Sequence, residues 1–132
     1  MRTPAEILRE AKTIALVGAS PKPDRPSHRV MRYLLAQGYD VIPVRPEGCD
    51  EVLGVPCVRS LAEVDRPIDL VDVFRRAEFT PDVAREAVDV GAGALWLQLG
   101  IVSAEARRIA AEADLDYVED SCTAVVHAQE VV

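Results

Sequence analysis

The chain has few aromatic side chains, only two lysines and no long uninterrupted apolar run. Aromatic residues make up 5% of its 132 residues although 49% are hydrophobic, so its core must be aliphatic. Such a core is typical of parallel sheets that are buried on both faces. No apolar run approaches the roughly 20 residues that a membrane-spanning helix needs, and the N-terminus lacks the apolar centre of a signal peptide. We therefore predict a soluble protein without a membrane partner, cytoplasmic by default.

The charge balance restricts the kinds of partner. With 22 acidic and 15 basic residues the net charge is −7. Nucleic-acid binding needs a positive field that displaces counterions, so this balance argues against a nucleic-acid partner. A local cationic pocket for a small anion is compatible with an acidic protein. The length fits one domain, residues 1–132, with a full core.

Cysteine and histidine are scarce as well. Cys49, Cys57 and Cys122 are odd in number and irregularly spaced, which predicts neither a disulfide framework nor a zinc site. His28 lies in the first turn of a predicted helix, where imidazolium opposes the dipole, so we expect a neutral rim residue. His127 has no nucleophile or carboxylate at a motif spacing. Since no nucleophile elbow or P-loop occurs either, we predict no catalytic residue, no metal site and no catalysis by this chain.

Short apolar runs alternate with amphipathic segments along the chain. Strands are predicted at 13–17, 40–44, 69–74, 94–97 and 116–119, with another short one near 57–58. The helices between them are predicted to be capped by Thr3, Ser27, Ser60, Thr80 and Ser103. This alternation predicts an α/β fold, a doubly wound and mainly parallel sheet of five to six strands with helices on both faces.

The stretch IALVGASPKPDRPSHRV, residues 14–30, is typical of a phosphate-binding connection between a strand and a helix. Gly18 lets the backbone approach a ligand closely, and three prolines stiffen the loop. Amides near Ser20 and at the helix start are placed to bind an anion, because ligands bind beyond the carboxyl ends of such strands. An ordinary connection with solvated charges is the alternative. The candidate residues here are Gly18, Ala19, Ser20, Lys22, Arg25 and Ser27.

The end of the second strand distinguishes between nucleotides. Enzymes that use NAD place Asp or Glu there to bind the ribose hydroxyls, whereas this chain has Arg45. A guanidinium suits a phosphorylated ribose, so Arg45 favours coenzyme A or NADP, unless it is merely a solvent-exposed arginine. An NADP-binding oxidoreductase is the weaker alternative, because no G-x-G-x-x-G and no Tyr/Lys pair is evident. Arg75 and Arg76 follow the strand predicted at 69–74. We expect one of them near a pyrophosphate and the other paired with Glu78 or exposed to solvent.

Two further residues have competing interpretations. Trp96 lies between Leu95 and Leu97 in an apolar strand, so we predict a core residue rather than a stacking platform. Cys122 follows the last strand, where a helix start would make a thiol more reactive. The favoured interpretation is a small buried residue that packs against the first loop.

Four stretches resemble the family of small, stand-alone coenzyme A-binding proteins. They are VGASPKPDRPSHRVMRYLLAQGYDVIPVRP at 17–46, SLAEV at 60–64, IDLVDVFRRAEFTPDVAREAVDVGAGALWLQLGI at 68–101 and EDSC at 119–122. The chain is also similar to the CoA-binding domain of the succinyl-CoA synthetase alpha subunit. The resemblance implies a Rossmann-like fold that binds coenzyme A or an acyl-CoA.

The resemblance also implies roles for particular positions. The phosphates would be held by Gly18, Ala19, Ser20 and Lys22. The adenosine end would be contacted by Val44, Arg45 and Pro46, and the nucleotide flanked by Val73, Phe74 and Arg75. The pantetheine arm would lie along Gln98, Leu99 and Gly100. The phosphorylated histidine of the synthetases lies in a domain not seen here, so a CoA-binding subunit of a ligase or acyltransferase, with a separate protein partner, stays an alternative.

Overall fold

Strands and helices alternate through the whole chain. The computed structural model describes residues 1–132. Its strands are β1 (Thr13–Val17), β2 (Asp40–Val44), β3 (Glu51–Val52), β4 (Val55–Pro56), β5 (Leu70–Val73), β6 (Ala94–Leu97) and β7 (Asp116–Val118). Its helices are α1 (Pro4–Glu10), α2 (Pro26–Ala36), α3 (Thr80–Asp89), α4 (Ala104–Glu112) and α5 (Thr123–Val126). Single 3-10 turns occupy Leu61–Glu63 and Ala77–Phe79, and a π-helical turn follows α5 at His127–Val131.

Five strands form one sheet in the order β2-β1-β5-β6-β7, and every neighbouring pair is parallel. The predicted doubly wound, Rossmann-like α/β fold is therefore confirmed. Chain order reverses between β1 and β5, because β1 leads outward to β2 while the later strands extend the opposite edge. Open sheets of this kind bind ligands beyond the carboxyl ends of the strands at such a switch point.

Both faces of the sheet are covered by aliphatic cores. One core packs the sheet against α1 and α2, through side chains such as Leu8, Met31 and Leu34. The other packs it against α3 and α4, whose small residues, Ala84 and Ala110 among them, let the helices lie close to the strands. Burying each larger aliphatic side chain contributes about 1.5–3 kcal/mol. The ends of the central strands are thus held on a rigid platform.

The region after β2 differs from the prediction. Instead of a strand near 57–58, β3 and β4 form a separate antiparallel hairpin, and Val58 makes only an isolated parallel bridge to Val44. The structure also joins Cys49 and Cys57 in a disulfide, with the Cα atoms 5.6 Å apart. The prediction of no disulfide is wrong because the hairpin turns back between two cysteines that are eight positions apart.

Two of the predicted helix caps are correct and three are not. Thr3 forms the full capping box with Glu6, and the Ser103 hydroxyl accepts from the Ala106 amide. Ser27 lies inside its helix because Pro26, whose fixed φ suits the first helical position, starts α2 one residue earlier. Thr80 likewise lies inside α3 and donates to a preceding carbonyl, and Ser60 caps no amide. No helix of the structure has both the length and the apolarity to cross a membrane.

Candidate functional site

A cleft of about 470 Å³ opens at the carboxyl ends of β1, β2 and β5, beside the switch point. Three segments form its walls: the loop from β1 to α2, the segment after β2 and the segment after β5. The lining residues are Gly18, Ala19, Ser20, Lys22, Arg25, Pro26, Ser27, Arg45, Pro46, Glu47, Phe74, Arg75 and Arg76. The cleft therefore lies where the strand pattern predicted a ligand.

Gly18 fixes the floor of the cleft. Its φ is +90°, and a Cβ at this position would lie 2.8 Å from the Phe74 carbonyl oxygen and 3.2 Å from Cγ of Arg75. The Gly18 amide donates to the Val44 carbonyl at 2.9 Å, and the Phe74 amide donates to Val17 at 2.8 Å. Only glycine combines this backbone conformation with so close an approach, so Gly18 sets how the three segments meet.

The first loop presents amides that have no acceptor within the protein. The backbone N–H groups of Ser20 and Ser27 make no intramolecular hydrogen bond, whereas the Lys22 amide donates to the Ser20 hydroxyl at 3.2 Å. Arg25 precedes α2 without a side-chain cap, and the first turn contains no acidic residue. A helix start with free N–H groups and no acid attracts an anion, since the dipole adds partial positive charge.

The cleft is strongly cationic although the protein is acidic. Five basic side chains line it, against Glu47 as the one carboxylate. The cations are Lys22, Arg25, Arg45, Arg75 and Arg76. A concave site of one sign raises the local concentration of the opposite charge, so this arrangement favours a ligand with several negative charges.

Arg45 is the most constrained of these cations. Its Nε lies 3.6 Å from Oε2 of Glu47, beyond hydrogen-bonding distance, and this Nε is buried without any hydrogen-bond partner. A buried donor without an acceptor costs about 1–3 kcal/mol. An anion that reaches this nitrogen would offset that cost.

Arg75 and Arg76 point in different directions. The guanidinium of Arg75 stacks on the ring of Phe79 at 4.3 Å from its centroid, while Arg76 makes a long ion pair to Glu78 at 3.6 Å. The side chain of Arg76 is 83% exposed, so this pair contributes little to stability. The expectation that one of the two arginines pairs with Glu78 is met by Arg76.

The structure brings together most of the predicted site residues but not all. Along the cleft lie Gly18, Ala19, Ser20, Lys22, Arg25, Ser27, Arg45, Pro46, Phe74 and Arg75. Val44 and Val73 are buried strand residues beneath it, so they shape the floor through their backbone. Leu99 and Gly100 lie beyond the end of β6, outside the lining of this cleft. Their contact with the distal part of a long ligand stays a prediction.

The side chain of Gln98 has partners inside the protein, and its predicted contact with a pantetheine arm stays a prediction. It is buried, and its amide Nε2 donates to Asp72 Oδ1 and to the Thr123 hydroxyl at 2.9 Å. The Thr123 hydroxyl donates in turn to Asp72 Oδ2 at 3.0 Å. Burial raises the pKa of Asp72 to about 7, although both hydrogen bonds oppose the rise. This network joins β5, β6 and the start of α5, so the side chain of Gln98 is already engaged in the core.

Three lining residues were missed as site residues. Pro26 was predicted only to stiffen the first loop, and Glu47 carries no signal of its own in the sequence. Arg76 was recognised as an arginine at the end of a strand, but only Arg75 was predicted as a site residue. A rule that takes every residue within two or three positions of a switch-point strand end would have found Glu47 and Arg76.

The two histidines, the free cysteine and the tryptophan lie outside the cleft lining. His28 is buried in α2, contrary to the expected rim position, and its Nδ1 lies 3.1 Å from Nη2 of Arg32. His127 is also buried and its Nδ1 lies 2.8 Å from the Tyr33 hydroxyl; desolvation lowers the pKa of this imidazole. Cys122 is a partly buried free cysteine that packs against the first core. Trp96 is fully buried, as predicted, and its indole donates to the Ser121 carbonyl.

The chain belongs to the CoA binding domain family, whose sequence profile matches residues 12–128. It is 46% identical to the uncharacterized protein YneT of Bacillus subtilis (strain 168), over 93% of this chain and 90% of that protein. A solved structure, the hypothetical protein from Pyrococcus horikoshii OT3, superposes with a TM-score of 0.93 at 39% identity, over 99% of this chain and 94% of that one.

A third relative belongs to a larger protein. The chain is 30% identical to the acetate–CoA ligase [ADP-forming] I subunit alpha of Pyrococcus furiosus (strain ATCC 43587 / DSM 3638 / JCM 8422 / Vc1). The match spans 65% of this chain but only 20% of that subunit. The domain described here is thus related to one part of a ligase subunit, as the resemblance to the synthetase alpha subunit predicted.

Proposed function

We propose that this chain binds coenzyme A or an acyl-CoA in the cleft at the switch point, without catalysing a reaction itself. The observation that carries the proposal is the concentration of five cations and two free amides against one carboxylate, in a chain of the CoA binding domain family. Coenzyme A carries a pyrophosphate and a ribose phosphate, so it offers negative charge to more than one of these groups.

The arrangement suggests how the charges divide. The Ser20 and Ser27 amides, with Lys22 beside them, suit the pyrophosphate, because charge-assisted hydrogen bonds at a helix start favour phosphate oxygens. Arg45, on another wall, suits the ribose phosphate because it lines the cleft and no carboxylate hydrogen-bonds to its Nε. The exposed residues Leu99 and Gly100 at the end of β6 offer the neighbouring surface to the pantetheine arm.

The absence of catalysis is part of the proposal. No histidine, no cysteine and no pair of carboxylates lines the cleft. Ser20, Ser27 and Lys22 line the cleft, but no histidine or second carboxylate lies there to activate a serine nucleophile or to complete an acid–base pair. The chain would therefore deliver or hold its ligand rather than transform it.

Calorimetric titrations test the binding. We expect acetyl-CoA to bind more tightly than NADP, and NADP more tightly than NAD, because only the first two carry a ribose phosphate for Arg45. Removing the ribose phosphate from acetyl-CoA should weaken binding about tenfold or more, as loss of a charge-assisted contact of about 1.5–3 kcal/mol implies. Tighter binding of NADP than of acetyl-CoA would contradict the proposal and favour the oxidoreductase alternative instead.

A second candidate is a CoA-binding subunit of an acyl-CoA ligase. It is favoured by the likeness to one fifth of a ligase alpha subunit. The test is affinity purification from the source cells, followed by a radiolabelled phosphorylation assay. A stoichiometric partner that carries a phosphohistidine would support the ligase subunit, and a chain that purifies alone would favour the binding protein.

A further inference from the structure

The hairpin after β2 is held by a covalent link. The Cys49–Cys57 disulfide closes the segment that contains β3 and β4, and its Cα separation of 5.6 Å lies within the usual range. Both cysteines are partly exposed. A thiol in solution therefore has access to this disulfide, as thiol–disulfide exchange requires.

Apart from this link, the hairpin is held by a two-residue ladder, by packing against the core and by the bridge from Val58 to β2. β3 and β4 are two residues long, and their pairing joins Glu51 to Pro56 and Val52 to Val55. Small hairpins of this kind are at most marginally stable in water. Val52 is the buried anchor of the segment, and outside the ladder the Cys57 amide donates to the Asp50 carbonyl at 3.1 Å. The disulfide is thus the covalent restraint among several that order the segment.

The same segment forms one wall of the cleft. The Gly48 amide, next to Cys49, donates to the Arg45 carbonyl at 2.8 Å. The Val58 carbonyl, next to Cys57, accepts from the Arg45 amide at 2.8 Å. Each end of the disulfide-closed loop therefore lies one residue from a backbone group that positions Arg45. Pro46 and Glu47, between Arg45 and the loop, also line the cleft.

We propose that the Cys49–Cys57 pair is a redox-sensitive clamp on the Arg45 wall of the cleft. When the pair is oxidised, it holds Arg45 in the ligand-binding arrangement. When the pair is reduced, residues 45–58 can leave that arrangement, and the affinity for coenzyme A falls. The effect on affinity rests on the proposed binding of coenzyme A. The chemistry is an exchange with a small-molecule dithiol: its sulfurs give two electrons and two protons, the Cys49–Cys57 bond breaks into two thiols, and the dithiol closes to a cyclic disulfide.

Thiol counting is the first arm of the test. In denaturant under air-equilibrated conditions, the protein should show one reactive thiol, from Cys122; after treatment with dithiothreitol and anaerobic desalting it should show three. Three thiols in the untreated protein would overturn the proposal. A Cys122→Ser variant is the matched control, because it removes the free cysteine and leaves the pair intact.

Binding and exchange are the second arm. Acetyl-CoA is the probe, since its thioester has no free thiol to react with the disulfide. We expect reduction to weaken its binding about tenfold, as a wall that is ordered about a tenth of the time implies. The Cys49→Ser/Cys57→Ser variant should match the reduced protein, and the Cys122→Ser variant should respond as the wild type does. Equal affinities of the oxidised and reduced forms would overturn the proposal.

Amide hydrogen exchange tests the clamp independently of ligand binding. Reduction should speed amide exchange at Arg45 and Gly48, while the core strand β6 keeps its rate, because local opening frees only the hydrogen bonds of the clamped wall. If acetyl-CoA binds neither form, the proposed function fails, and faster exchange at these two amides still supports the clamp. Unchanged exchange at both amides would overturn the clamp whether or not the ligand binds.

Discussion

The buried Nε of Arg45 lies 3.6 Å from Oε2 of Glu47 and has no hydrogen-bond partner. Glu47 is the one carboxylate in the cleft and its side chain is 65% exposed. The Glu47 carboxylate is close enough to attract the Arg45 guanidinium but does not hydrogen-bond to its Nε. A bound anion would compete with this carboxylate for the guanidinium.

Replacing Glu47→Gln should strengthen ligand binding. The substitution removes the acid that competes with the ligand for Arg45, so the affinity for acetyl-CoA should rise about two- to fivefold, as exposed ion pairs of up to about 1 kcal/mol imply. Calorimetry at low and high salt measures it, and the gain should shrink at high salt. Glu51→Gln is the matched control, since it makes the same charge change outside the cleft lining. Equal gains for both variants would mean that only the net charge matters.

The two lysines of the chain provide a matched pair. Lys22 lines the cleft, whereas Lys12 precedes β1 at the other end of the sheet. Lys22→Ala should weaken acetyl-CoA binding by about 1–3 kcal/mol through loss of a charge-assisted phosphate contact. Lys12→Ala should leave the titration as it is. An unchanged affinity in Lys22→Ala would remove this lysine from the site.

Gly18→Ala should destabilise the fold as well as the site. The new Cβ would lie 2.8 Å from a backbone oxygen in a left-handed conformation, so we expect a loss of about 2 kcal/mol or more in the free energy of unfolding. Gly38→Ala is the control: its φ is +95° but its Cβ would meet nothing within 4 Å, so only about 1 kcal/mol of backbone strain applies. Urea unfolding of both variants measures the difference, which isolates the clash with Phe74. Equal losses of unfolding free energy in the two variants would show that the close approach to Phe74 does not add to the cost.

The buried carboxyl of Asp72 should make stability depend on pH. Burial raises its pKa from 3.8 to about 7, so the stability that its proton provides is full below about pH 4 and is lost as the pH rises through 7. Asp72→Asn stays neutral and keeps partners for Gln98 and Thr123. Relative to this variant, the wild type should lose up to about 4 kcal/mol in the free energy of unfolding between pH 4 and 8.

Urea unfolding of the two proteins at several pH values checks this dependence. The difference between them cancels the titration of the surface carboxylates, which both proteins share. A difference that does not change with pH would show that Asp72 keeps one protonation state across the range. In that case the network of Gln98 and Thr123 must already hold the carboxylate in its charged form.

The order of elements and the cleft were predictable because they rest on local patterns. Continuous apolar runs identified the buried strands, and a glycine after β1 with an arginine after β2 located the ligand end of the sheet. Helix starts were less predictable: Pro26 starts its helix one residue before the expected cap, and Thr80 lies inside α3 rather than before it. A serine or threonine next to a proline is thus not enough by itself to identify the residue that caps a helix.

Features that depend on contacts between distant segments escaped prediction. The pairing of Cys49 with Cys57 depends on a hairpin whose strands are too short to leave a periodic signal. The burial of Gln98 depends on Asp72 and Thr123, which approach it only after β5, β6 and α5 have packed. Glu47 enters the cleft because the loop after β2 folds back. In each case the tertiary contact, rather than the neighbouring sequence, decides the role of the residue.

The most direct test of the central claim is amide chemical-shift mapping of the oxidised, isotope-labelled protein during titration with acetyl-CoA. If the ligand binds at the switch point, the largest shifts should occur at the unpaired amides of Ser20 and Ser27, with smaller ones at Arg45 and Phe74. Shifts confined to the groove at the opposite end of the sheet, lined by Lys12, Gln37 and Tyr39, would contradict the claim. A spectrum that acetyl-CoA leaves unchanged would contradict it as well.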